Sequence, residues 1–262
     1  MASQVETATE LFLETFLRWS RGFGTLYGFT RSVSVLGQSQ GAGNLLATDH
    51  QRITLDLRPE PEWIGGWDNL VDAAHPTFQR RIAESFHDES PAYALQGGMH
   101  SACVVFAHSV IDAVTSDCCR VSAVVAPHDW EQDLSQRQVS LGEIKERTYP
   151  EILNDRLLKY MSALERDPLL KRVDLLHLRC PPSEMPASRT GYRFDRDRVE
   201  RFDRLRHEII HGNGMGEPIA GLEDELSFIN RTCGYMLNLV GRRYGLRLDP
   251  SRWAPRVQSG GP

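Results

Sequence analysis

The stretch from Met99 to Val125 constrains the fold more than any other. Val104, Ala107, Ile111, Val114, Cys118, Val121 and Val125 recur at three- and four-residue spacing. That spacing makes one continuous apolar stripe on a long helix, which must be covered along its whole length. Pro127 ends the helix, because the residue before a proline is pushed out of the helical region. The cover is written downstream. Ile152, Leu153, Leu157, Tyr160, Met161 and Leu164 form one amphipathic face. Asp167-Pro168 reads as an N-cap followed by proline at the first helical position, starting a short helix through Leu178. Cys180-Pro181-Pro182 breaks that helix, and Ser183 to Thr190 reads as a loop. A further helix starts near Asp195 and ends at Gly212 to Gly216. Its successor runs from about Leu222 to Tyr244, with Leu222, Leu226, Ile229, Cys233, Met236 and Val240 on one stripe. Four substantial helices and one short one, with no strand signal between Met99 and Tyr244, predict an all-α helix bundle.

The N-terminal third reads differently. Residues 5 to 20 predict a helix ended by Gly22 and Gly24. Ser32 to Leu36 and Ile53 to Leu57 alternate or are β-branched, on either side of the Gly/Ser/Gln-rich stretch Gly37 to Gly43. They predict a small β-hairpin. A helix from about Asp68 to Ser85 follows. The predicted organisation is an N-terminal region over 1–95, the helical bundle over 96–248, and a flexible tail over 249–262, where Ser259-Gly260-Gly261-Pro262 has nothing to bury.

Composition narrows the setting. The 262 residues suffice for one large domain or two small ones. No apolar run approaches the roughly 20 residues of a membrane span. Met1 to Glu10 lacks the basic and apolar regions of a secretory signal. Five cysteines, an odd number without a C-x-x-C, fit neither a disulfide framework nor a zinc ribbon. The expectation is a cytoplasmic protein that does not engage a membrane. A net charge of -5 excludes a chain-wide nucleic-acid surface. Two local clusters stand out. Arg193, Arg196, Arg198, Arg201, Arg204 and Arg206 alternate with acids, as solvated helix faces do. Arg242, Arg243, Arg247, Arg252 and Arg256 face only Asp249 and can lie along a phosphate backbone. His108 and His128 have no partner at ligand spacing and are read as ordinary core or surface histidines.

The chemistry is concentrated in Arg206-His207-Glu208-Ile209-Ile210-His211-Gly212-Asn213-Gly214. At about 100° per residue, Val199, Phe202, Leu205, Ile209 and Ile210 form an apolar arc into which Arg206 points. His207 and His211 share a neighbouring face. A histidine can take a proton from a ribose 2′-hydroxyl or give one to a leaving 5′-oxygen. A guanidinium can stabilise the charge that builds on the phosphate. Such chemistry needs no metal and no cofactor, and it requires RNA. Arg206 and His211 lie about 140° apart around an ideal helix, so one helix does not readily aim both at one phosphate. A second copy across a two-fold axis would.

Arg206, His207, three residues and His211 resemble the R-[N/H/D]-x-x-x-H signature of the HEPN superfamily. The motif lies near the end of a bundle's penultimate helix, after a long apolar helix, and the resemblance covers about residues 95 to 246. It implies a helical bundle, homodimerisation that joins two motifs in one cleft, and metal-independent endoribonuclease activity leaving a 2′,3′-cyclic phosphate. Arg206 and His211 would then be catalytic and His207 would assist, with Arg204, Glu208 and Asn213 as binding residues. Members of toxin, antiphage or CRISPR-linked systems imply a regulatory or antitoxin partner. Asn213 stands where one toxin branch carries tyrosine, which argues against that branch and its nucleotidyltransferase antitoxin.

A rival pattern shares the same atoms. His207-Glu208-x-x-His211 is an H-E-x-x-H, in which both histidines can hold zinc and Glu208 can act as base. Glu217 stands at the third-ligand position. Such a zinc metalloprotease helix ordinarily packs under a sheet, and the chain from Met99 onward has no strand signal. A third reading is a non-catalytic bundle of the same type that binds nucleic acid or a partner protein.

Overall fold

The computed structural model describes residues 2–37, 91–134, 145–182, 192–212 and 218–247. All regular structure among them is helical. The helices are α1 (Ala2–Gly37), α2 (Pro91–Val125), α3 (Glu131–Leu134), α4 (Tyr149–Leu164), α5 (Leu169–Arg179), α6 (Arg196–Ile210) and α7 (Leu222–Arg243), with a 3₁₀ turn at Pro127–Trp130. The chain divides into two compact units. One comprises Met1–Phe23, Ala107–Asp203 and Glu225–Pro262, and the other Gly24–Phe106 and Arg204–Asp224.

In the first unit the stripe of α2 is the core. Ala107, Ile111, Val114, Cys118 and Val121 are fully buried, as are Val173 and Leu176 of α5, Val199 of α6, and Ile229, Cys233, Met236 and Val240 of α7. By length and composition, Gly97–Val125 would pass for a membrane span, although no single apolar run in the sequence is that long. Most of its apolar window is buried inside the protein, as a central bundle helix requires. Polar clamps tie the neighbours to it. Arg18 of α1 pairs with the buried Asp117. Arg172 of α5, only 2% exposed, pairs with Asp112 and Ser116. These partners offset the cost of burying the guanidinium, although its Nε–H has no acceptor among the described residues. Burial raises the Asp117 carboxyl above the usual range, while Arg18 and Arg120 oppose the shift. Helix α1 reaches α7 as well, where the Trp19 Nε1–H donates to Asn230 Oδ1 at 2.8 Å. In the second unit Leu26, Cys103, Val104, Ile209 and Leu222 are buried.

Several boundaries differ from expectation. Helix α1 does not stop at Gly22 and Gly24 but continues to Gly37. A single glycine costs a helix only about 1 kcal/mol, and the buried Phe23 and Leu26 hold the helix together past that point. Ser32 to Leu36, expected as a strand, is therefore the end of a helix, and the hairpin loses one of its arms. Short β-branched runs do not distinguish the two states by themselves. Ile53 to Leu57 and the helix expected at Asp68 to Ser85 lie outside the described residues. Helix α2 begins at Pro91, eight residues before Met99, since proline is tolerated where no N–H is needed. Pro168, not Asp167, is the N-cap of α5. The 3₁₀ turn that follows α2 buries Trp130 completely. Its Nε1–H donates to Ser122 Oγ at 3.2 Å, and Arg179 lies over its ring. Helix α4 starts with a capping box. Glu151 accepts from the Thr148 N–H at 2.7 Å and from its hydroxyl at 2.8 Å. The backbone bond, then the hydroxyl, hold the Glu151 carboxyl below its usual range. That Thr-x-x-Glu pattern is readable in sequence.

Candidate functional site

The candidate site is the C-terminal end of α6, built from the inside outward. Val199, Phe202 and Ile209 are buried and Leu205 is half-buried, so the apolar arc faces the protein. Ile210, placed in that arc by the helical projection, lies at its edge and is 48% exposed. Helical bonding persists one residue beyond the helix, with the His211 N–H donating to the His207 carbonyl at 3.1 Å. Gly212 then takes a φ of +82° and its N–H donates to the Ile209 carbonyl. This is the left-handed residue that commonly closes a helix and that glycine adopts without strain.

His207 and His211 are brought together by this geometry. Both are exposed, their ring centroids are 4.2 Å apart and the planes are tilted by 58°. Arg206 is half-buried and makes no hydrogen bond or ion pair among the described residues. Glu208 and Arg204 are exposed on the same helix. Asn213 and Glu217 lie outside the described residues. Among the described residues no group of three or more His, Cys, Asp or Glu side chains is arranged to hold a metal ion. A zinc site at His207 and His211 would need Glu217 or another residue outside that set.

The first basic cluster behaves as paired helix faces. Arg196 pairs with Asp174 at 3.1 Å, and Arg198 with Glu225 at the same distance while lying over the Phe228 ring. In the second cluster, Arg242, Arg243 and Arg247 are exposed, and Arg252 and Arg256 lie outside the described residues.

Two histidines acquire partners that spacing along the chain did not signal. His108, 7% exposed on α2, has its Nε2 2.6 Å from Asp203 Oδ1 on α6. His100 accepts the Ile219 N–H at its Nδ1, at 2.9 Å. Burial lowers the His100 pKa, which keeps the imidazole neutral with its proton on Nε2. Both pairs join residues about a hundred positions apart or more, beyond the reach of any local motif. None of the buried cysteines forms a disulfide, and burial raises the pKa of Cys118, Cys119 and Cys233.

No protein-family model matches this chain, and no curated protein or solved structure matches it either.

Proposed function

We propose that the chain is a metal-independent endoribonuclease of HEPN type, acting as a homodimer. The observation that carries the reading is the end of α6. Two exposed imidazoles lie 4.2 Å apart beside an arginine with no partner among the described residues. His211 removes the proton from a ribose 2′-hydroxyl, whose oxygen forms the new bond to phosphorus. The bond to the 5′-oxygen breaks, and the leaving oxygen takes a proton from a neighbouring imidazole. The products are a 2′,3′-cyclic phosphate and a 5′-hydroxyl. Arg206 stabilises the charge on the non-bridging oxygens, and His207 orients or relays. Arg204, Glu208 and Asn213 bind the strand around the scissile phosphate.

The angular separation of Arg206 and His211 supports dimerisation. An arginine from one protomer and a histidine from its partner can meet at one phosphate across a two-fold axis. The exposed Ile210 and the half-buried Arg206 supply apolar and polar surface for that seam. An unrestrained cytoplasmic ribonuclease would injure its own cell, so a regulatory partner, as in toxin or antiphage systems, belongs to the proposal.

The test is RNA cleavage in EDTA, with the ends analysed for 2′,3′-cyclic phosphate. His211→Ala and Arg206→Ala should each lower the rate by about 10²- to 10⁴-fold. Full activity of either variant sinks the assignment. The contact of His207 with His211 also suits a zinc clamp. Stoichiometric zinc that disappears in His207→Ala would favour the protease reading. Tight RNA or protein binding without turnover would favour the non-catalytic module.

A further inference from the structure

Away from the α6 motif, a cleft of about 380 Å³ opens between α1 and the C-terminal half of α7, within the first compact unit. Its size falls in the range of small-molecule sites. One wall is aromatic. Phe16 and Trp19 are half-exposed and meet edge to face, with ring centroids 5.3 Å apart. The bond from the Trp19 Nε1–H to Asn230 fixes the indole. The other wall is α7, where Gly241 lets the backbone come close. A Cβ there would lie 3.1 Å from Phe12 Cζ and 3.3 Å from the Leu246 carbonyl oxygen.

The rim is basic, and among the described residues the lining contains no carboxylate. Arg242 and Arg247 are exposed and make no ion pair among the described residues. Arg242 sits in the last turn of α7, where a cation offsets the partial negative charge of the helix end. Arg247 lies beyond the helix and is not needed for that. Asn238 donates its Nδ2 to the Gly234 carbonyl at 2.8 Å and keeps its Oδ1 as an acceptor. A flat aromatic face, a carbonyl acceptor and two guanidinium groups are what a base joined to a phosphate requires. Stacking on aromatic rings is tolerant of base identity, and the charge complements the phosphate.

We infer that this cleft binds a nucleoside phosphate, with the base against Phe16 and Trp19 and the phosphate between Arg242 and Arg247. The ligand is either a free nucleotide or one unit of a single-stranded RNA. The inference stands apart from the ribonuclease reading, because it concerns binding by residues outside the motif.

The experiment uses the full chain in EDTA at low salt. AMP is titrated into the unsubstituted protein, and a fluorescent oligoadenylate into a His211→Ala background, so that the strand is not consumed. Arg242→Gln with Arg247→Gln should weaken binding roughly tenfold or more, as lost charge-assisted bonds do. Phe16→Leu, which keeps apolar volume but removes the ring, should weaken it several-fold. Arg166→Gln, an exposed arginine elsewhere, should leave it unchanged. Thermal melts establish that the variants fold. Cleft-dependent binding of both probes identifies a free-nucleotide site, and binding of the oligoadenylate alone identifies a strand subsite. Binding of neither probe, or a double arginine variant that binds like Arg166→Gln, overturns the inference.

Discussion

His108 of α2 and Asp203 of α6 meet at 2.6 Å, with the histidine side chain almost wholly enclosed and the carboxylate half-exposed. The contact fixes α6 against α2 just before the segment that carries Arg206, His207 and His211. His108→Ala removes the partner and leaves a hole in a packed wall. It should cost about 1–3 kcal/mol of stability, measured by urea unfolding. A loss within experimental error would mean that the pair is a crossing point without structural weight.

Two glycines of α1 should respond in opposite directions to the same change. A Cβ at Gly22 would stand 2.7 Å from Val110 Cγ2, and Val110 is buried. A β-branched side chain has little rotamer freedom with which to yield, so Gly22→Ala should destabilise by about 1–3 kcal/mol. Gly24 has nothing within 4 Å of such an atom. Gly24→Ala should stabilise the helix by about 0.5–1 kcal/mol. Paired thermal melts read both.

His177 should make the fold sensitive to mild acid. Burial lowers its pKa from 6.5, with the Asp174 charge opposing. Its Nε2 lies 3.2 Å from the Tyr235 hydroxyl, and Phe194 meets the ring edge-on. A depressed folded pKa means that the unfolded chain binds the proton more tightly. The stability from His177 is then complete above 6.5 and is lost as the pH falls below it toward the folded value. The Tm should fall between about pH 7.5 and about pH 5.5, and less steeply in His177→Gln. His100, shifted the same way, supplies a remaining slope. Equal slopes in the two proteins would remove His177 from the account.

A composite active site predicts complementation. Under the proposed mechanism, Arg206→Ala and His211→Ala homodimers should both be inactive, but mixing them should reunite an intact arginine with an intact histidine. With random exchange, half of the dimers are mixed and each has one working site, so about a quarter of the wild-type activity should return. No recovery after verified subunit exchange would mean that both residues act from one chain.

Much of the helical plan was readable from local pattern. The stripe from Val104 to Val125, the Thr148–Glu151 box, the prolines at 127 and 168 and the glycine at 212 each act within a few residues. Apart from the start of α2, which lies eight residues before Met99, the starts and ends they imply match the structure to within a residue or two. The same local rules misread α1, because Gly22 and Gly24 look like stops unless one knows that Val110 lies beside the first. They also put Ile210 in the covered arc, although a projection cannot say how wide the covering partner is.

What the sequence by itself determined is the helical class, the core stripe of α2 and the clustering of Arg206, His207 and His211 at one helix end. All of these depend on periodicity and capping, which are properties of neighbouring residues. Tertiary structure alone decided that Trp19 reaches Asn230 across 211 positions, that His108 finds Asp203, and that the buried Arg172 pairs with the half-exposed Asp112. It also decided that an aromatic wall and two arginines share one cleft. Side chains that far apart in sequence are joined only by how the helices pack, and no spacing along the chain encodes that.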